Sequence, residues 1–447
     1  MDSLAKTNRS RIFDVLSEGL LFVRGGESTC VYDTDADEVF QQEATFIFVT
    51  DFHEPDCFAV LDCYDKKYHL FVPHLPAEYA VWLGEIESLE SIQKRTGCDY
   101  IHYTEELPTF WKEMPESKRL LITNKFSKGS VGEVPSSFTM TEDADKTIHE
   151  LRMFKTPEEE GRILESCRIL GECFRETIKF ATPGRYEYQV DARLRYEGMM
   201  RGSRFVSFAA IPATGKSAAT LHYIHCKKQL KDGDMFLLDA GVMYKGYASD
   251  VTRSFPVNGK FTEKQKELYQ VVLDSQMACI EMLKPGVEWR DVHAKSLEML
   301  TKGLLKVGIL KSEFSLEEHL KNHTATWFQG HGIGHSMGLA VHDIGAFPEG
   351  RGRFSEPGYS SLRMNRILEP GIVVTIEPGC YFVDVVLNDV KKTPEKVKYV
   401  NFDKVAEYSA EIGGIRIEDD IIITKDGYKM LTNIPKTVEE LEALKSE

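Results

Sequence analysis

A chain of 447 residues exceeds what one hydrophobic core usually organises, and its 42% apolar content can fill two. A formal charge of -15 leaves no broad basic field for a phosphate backbone or an anionic lipid surface, so nucleic acid is excluded as an expected partner. The chain has no run approaching the roughly 18 apolar residues of a membrane span and no leader-like apolar stretch in MDSLAKTNRSRIFDVL, and its nine cysteines lack CxxC spacing, which predicts a reducing, cytoplasmic setting.

The first 150 residues alternate strand-like runs with helical patterns. FIFVT at 46–50, CFAVLDCY at 57–64 and KYHLFVP at 67–73 read as strands of a smaller α/β domain, placed at 1–152. A new start follows. Thr156, then Pro157 in the first turn and Glu159 three residues after the threonine, predict a capped helix whose Ile163, Leu164, Cys167, Leu170 and Phe174 share one face. The second domain is placed at 153–447.

There, β segments carry the informative residues, with helices such as 262–283 between them, a pattern that suggests α+β. MFLLDAG at 235–241 and YASDVTRSF at 247–255 flank a Tyr-Lys-Gly turn, so Asp239 and Asp250 are expected to face each other from paired strands. GIVVTIEPG at 371–379 is a buried run ending in Glu377. In IRIED, alternation sets Arg416 and Glu418 on the face opposite Ile415 and Ile417. The charged stretch near 384–407 reads as a surface loop.

Asp239, Asp250, His335, Glu377 and Glu418 thus each sit at the edge of a short apolar or glycine-rich segment, where side chains become buried. An ionised carboxylate removed from water costs several kcal/mol unless a positive charge answers it. Four carboxylates with too few local basic groups point to divalent cations, two sharing bridging carboxylates rather than one. The oxygen-rich set suits Mn²⁺, with zinc, cobalt and iron(II) left open. Such a pair acidifies water and polarises a carbonyl, which makes hydrolysis the expected chemistry. Cys380, near Glu377, reads as a small buried filler rather than a redox-sensitive thiol.

LLDAG…YASDVTRSFP, GHGIGHSMG…VHDIG, TIEPG and GGIRIEDD, in that order, resemble the metal-binding motifs of the pita-bread (creatinase/aminopeptidase-like) metallopeptidases. FQQEATF, LFVPHLPAEYAVWLGEI and RMFKTPEEE extend the likeness through the amino-terminal domain, toward the prolidase (Xaa-Pro dipeptidase) branch and its neighbour aminopeptidase P. The resemblance implies Asp239 on one metal, His335 and Glu377 on the other, and Asp250 and Glu418 bridging, with Glu377 as general acid/base beside a metal-bridging hydroxide. It also implies that His222 and His342 hold substrate and stabilise the oxyanion, and that His331 contributes to substrate binding. Arg363 would take the carboxylate of a carboxy-terminal proline, and Arg416 would support Glu418 and the substrate end. Trp82 would reach a neighbouring subunit's site, which implies a homodimer joined through the amino-terminal domain.

One departure stands out. Phe208 occupies a position where the family commonly has tyrosine, so a hydroxyl that orients a metal-ligand carboxylate must be replaced by another group. Aminopeptidase P activity on longer Xaa-Pro peptides is the nearest alternative function. A metal-free pita-bread interaction module, or a creatine-hydrolysing enzyme, is the alternative of a different class. The His342-Asp343 dipeptide also fits a phosphohydrolase, but without convincing companion spacing.

Overall fold

The computed structural model describes residues 4–447. They separate into two compact units, one ending at Arg152 and the other running from Met153 to Glu447.

The first unit is built on a six-stranded sheet ordered β4-β3-β2-β1-β5-β6, from β1 (Leu20–Arg24), β2 (Phe58–Asp62), β3 (Lys67–Val72), β4 (Tyr100–Tyr103), β5 (Leu120–Thr123) and β6 (Thr139–Thr141). The β1-β2-β3 core is antiparallel, and β4, β5 and β6 join in parallel. Trp111, Phe22, Phe110 and Phe138 pack on one face of the sheet, and the Trp111 indole donates to the carbonyl of Val131 at 2.9 Å, so its polar atom is not stranded. One strand expectation is corrected: FIFVT belongs to the helix Ala44–Thr50. The Glu43 carboxylate accepts from the Phe46 amide, and Asp51, at φ 53, closes the other end in the left-handed region. Thr45 to Thr50 are all buried, so the run shows neither period, and its caps outweigh its β-branched composition.

In the second unit the helix Pro157–Phe180 begins as expected, with Thr156 and Glu159 exchanging both bonds of a capping box. Strands β7 (Phe205–Val206), β8 (Ile211–Thr214), β9 (Met235–Ala240), β10 (Val242–Tyr244), β11 (Tyr247–Ala248) and β12 (Val251–Pro256) form two small sheets, ordered β12-β9-β8 and β11-β10-β7. The two-aspartate ribbon is a hairpin: β9 and β12 pair antiparallel with Asp239 opposite Thr252 and Ala240 opposite Val251. Lys245 and Gly246 at its tip both have positive φ, the conformation that a tight two-residue turn requires. Downstream, β13 (Val373–Ile376), β14 (Gly379–Tyr381), β15 (Gly414–Arg416), β16 (Asp419–Ile423) and β17 (Tyr428–Met430) pair as β13-β16-β17 and β14-β15. The mixture of helices and small antiparallel sheets meets the α+β expectation.

The expected loop at 384–407 is instead helical, in Asp384–Lys392, Pro394–Val397 and the start of Phe402–Ser409. Leu387 and Val390 in the first of these, and Val405 and Tyr408 in the last, are buried three residues apart, a one-face pattern too short to stand out among the surrounding charges.

Helix Trp289–Lys306 carries His293 fully buried, with one ring nitrogen 2.7 Å from the Gly358 carbonyl. Burial lowers its pKa to about 4. The unfolded chain takes up this proton near pH 6.5, whereas the fold resists it until about 4. His293 therefore contributes no penalty above 6.5 and costs up to about 3 kcal/mol as pH falls through that window. His293→Gln is expected to flatten the acid limb of Tm between pH 6.5 and 4. Parallel limbs for the variant and the parent would refute it.

Candidate metal centre

Four chain segments converge on one cleft of about 540 Å³. The β9-β12 hairpin presents Asp239 from inside β9 and Asp250 from the residue before β12. Gly241 lets the hairpin close here, since a Cβ at that position would lie 1.9 Å from the Ser249 carbonyl oxygen. His335 is clamped against β13: its amide donates to the Thr375 hydroxyl at 3.2 Å, and its carbonyl accepts from the Thr375 amide at 3.0 Å. Glu377 follows β13 directly, its amide bonded to the Ile333 carbonyl at 2.8 Å. Glu418 lies between β15 and β16, its amide donating to the Thr252 carbonyl at 3.1 Å.

The structure brings the five residues together. Donor atoms of Asp250, His335 and Glu418 all lie within 4.8 Å of one another. The free ring nitrogen of His335 is 3.4 Å from Asp250 Oδ2 and 3.5 Å from Glu377 Oε1. Asp239 lines the same cleft and is bound through Oδ2 to Arg416 at 2.5 Å. Arg416 is the one cation paired with these carboxylates among the described residues. Burial, then repulsion from neighbouring carboxylates, raises Asp250 and Glu418 well above the usual carboxylate range. Burial chiefly raises Glu377 to about 7. It also drives His335 down to about 3, leaving a neutral imidazole able to ligate.

A cation fits this set. Asp239 Oδ1 and Asp250 Oδ1 are buried without a hydrogen-bond partner, an expensive arrangement for charged oxygens unless a metal ion meets them. The donors are four carboxylates and one imidazole, with no thiolate, which favours a hard divalent ion.

Around this floor, His222, His331, His342 and Arg363 line the cleft as anticipated. The His342 ring stands edge-on to His335 with centroids 4.4 Å apart. Arg363 is half-buried and forms no ion pair within 4.0 Å among the described residues, its charge reaching Glu377 only at longer range. Trp82 belongs to the first unit, in the short helix Tyr79–Trp82, and is 81% exposed between exposed Val81 and Leu83. Asp343 is engaged by Lys155 in a buried ion pair of 3.3 Å, which accounts for the His-Asp dipeptide without phosphohydrolase chemistry. Cys380 is fully buried and its thiol is pushed up to about 12, consistent with a filler.

Sequence reasoning missed the supporting hydroxyls. Thr252 donates to Glu418 Oε2 at 2.7 Å, and Thr375 donates to Glu377 Oε1 at 3.4 Å. Phe208 lines the cleft without a side-chain hydrogen bond to offer, and Glu418 and Glu377 take theirs from these threonines. Tyr381 was also missed. Its hydroxyl accepts from Arg416 at 2.7 Å and lies 2.9 Å from His331, tying two of the anticipated residues together. Its place four residues after Glu377, in EPGCY, was the available signal.

Comparison with known proteins follows the two units. The model for metallopeptidase family M24 matches residues 161–425, and that for the aminopeptidase P N-terminal domain matches 5–122. A Mus musculus Xaa-Pro dipeptidase is 36% identical over 460 residues, covering 99% of this chain and 93% of its own length. A probable Xaa-Pro aminopeptidase of Botryotinia fuckeliana is 34% identical, with 96% and 93% covered. Zinc-substituted Escherichia coli aminopeptidase P in complex with product superposes with a TM-score of 0.83 at 27% identity, covering 99% of this chain and 98% of that one.

Proposed function

Because the chain belongs to metallopeptidase family M24, we propose that it is a dinuclear-metal Xaa-Pro dipeptidase that releases free proline. One observation carries this reading: a single cleft has an under-neutralised carboxylate floor and, on its wall, the unpartnered Arg363. The floor suits cations, and the wall suits the free carboxylate of a short peptide. The 36% identity to the mouse dipeptidase along nearly the whole chain supports the same choice.

Asp239, Asp250, His335, Glu377 and Glu418 would hold two divalent ions, with Mn²⁺ matching the donor set. When bound, such a pair supplies Lewis acidity at the scissile carbonyl and lowers the pKa of water toward neutrality. Glu377 takes a proton at its carboxylate and passes it to the departing nitrogen. The proline nitrogen of an X-Pro bond carries no hydrogen and its φ is fixed, so strand-like recognition is denied and the ring itself must be seated. His222 and His342, both on the cleft lining, would donate to a developing oxyanion. Arg363 forks onto the terminal carboxylate, and Arg416 keeps Asp239 aligned. The exposed apolar segment around Trp82 supports a homodimer in which that ring reaches a second copy. All nine cysteines are free, which agrees with a reducing cytoplasm.

Purified protein loaded with Mn²⁺ is expected to release proline from Gly-Pro and Ala-Pro and to stop when a chelator is added. A fully metallated protein inert on every Xaa-Pro dipeptide would end this reading. The similarity to the probable Xaa-Pro aminopeptidase of Botryotinia fuckeliana and to E. coli aminopeptidase P favours a second reading, aminopeptidase P activity. Faster cleavage of Ala-Pro-Ala than of Ala-Pro would establish that one instead.

A further inference from the structure

Three guanidinium groups line the cleft: Arg353, Arg363 and Arg416. Arg416 is committed, since its nitrogens donate to Thr252, Tyr381 and Asp239. The other two are not. Arg353 gives one hydrogen bond, from Nη1 to the Leu362 carbonyl at 3.2 Å, and lies over the Phe347 ring at 5.2 Å. That bond sets its guanidinium against the peptide unit leading into Arg363. No carboxylate pairs with either arginine among the described residues, although the chain has 70 acidic residues against 55 basic ones. Neighbouring cations do find partners: Arg351 pairs with Glu288 at 2.6 Å, and Arg290 pairs with Glu356 at 2.7 Å. The cleft wall has therefore kept two adjacent forks open in a strongly acidic protein.

We propose that Arg353 is a second anchor for the substrate's terminal carboxylate, acting beside Arg363, and that the pair selects peptides ending at the residue after the scissile bond. The inference rests on the Xaa-Pro reading above and deepens it. A carboxylate offers about four lone-pair sites, enough for two guanidiniums at once. A peptide that continues, or ends in an amide, brings no charge there and leaves both forks without a carboxylate. Arg353 is a specificity-determining residue in this scheme and takes no part in proton transfer.

The test compares Ala-Pro with Ala-Pro-amide on Mn²⁺-loaded full-length protein, parent and Arg353→Gln. The exposed position of Arg353 favours a folded variant. The parent is expected to prefer the free acid, and Arg353→Gln to lower the ratio of kcat/KM for acid over amide about tenfold, mainly through KM for the acid. Calorimetric binding of L-proline against prolinamide should show the same loss of discrimination without turnover. An unchanged ratio, or equal losses on both substrates, would reduce Arg353 to a support of the loop and overturn the proposal while leaving dipeptidase function intact. Failure of the parent to cleave Ala-Pro would overturn both.

Discussion

Glu377→Gln is expected to leave the protein folded and to lower kcat on Ala-Pro about 10³-fold. Glutamine keeps the size of the side chain and can still accept from Thr375, whose hydroxyl lies 3.4 Å from Glu377 Oε1. It cannot take up a proton and return it to a leaving nitrogen, and its neutral oxygen is a poorer metal ligand than a carboxylate. Both losses fall on the chemical step and on occupancy. The fold should not suffer. Without metal, Glu377 adds one more like charge beside Asp239 and Glu418, so its neutralisation relieves repulsion. The variant's metal-free Tm should equal or exceed that of the parent. Turnover within tenfold of the parent, measured at saturating Mn²⁺, would remove Glu377 from proton transfer.

The acidic floor could be read in the sequence because it contradicts its surroundings. LLDAG and TIEPG put carboxylates at the ends of runs whose patterning demands burial, where an ionised group needs a positive partner. The hairpin joining Asp239 to Asp250 was legible for a local reason, a Lys-Gly turn between two short apolar runs. The layer behind it was not. Thr252 reads as one more polar residue in a strand, yet β9-β12 register sets it opposite Asp239, and from there its hydroxyl reaches Glu418, 166 residues away. Such contacts are decided by strand register, which periodicity does not carry over long separations. The fold shows the same division. The capping box at Thr156 is local and was visible, whereas FIFVT, buried on all sides, has the composition of a strand and the caps of a helix. In 384–407, helices of four to nine residues are too short for their buried positions to outvote the lysines and acids around them.

Asp250→Asn is expected to separate metal binding from folding. Asp250 is anchored through its backbone and not through its carboxylate: its amide donates to Asp420 Oδ2 at 2.9 Å, its Oδ2 lies 3.4 Å from the His335 ring, and its Oδ1 has no partner. An amide in this place keeps the backbone anchor but carries no charge to offer a divalent cation. Mn²⁺ affinity should fall about 100-fold, comparable to losing one or two charge-assisted contacts. The metal-free protein should move in the opposite direction. Burial and the neighbouring carboxylates make an ionised Asp250 costly at neutral pH, so asparagine should raise metal-free Tm, by about 1–3 kcal/mol in stability. Bound metal stabilises the fold by an amount that grows with the logarithm of its affinity, so the Tm gained on adding Mn²⁺ should shrink in the variant even as its starting Tm rises. Melting curves with and without Mn²⁺ at pH 7 read both effects in one experiment. A variant that starts no higher than the parent and gains as much from Mn²⁺ would show that Asp250 neither opposes the metal-free fold nor holds the ions.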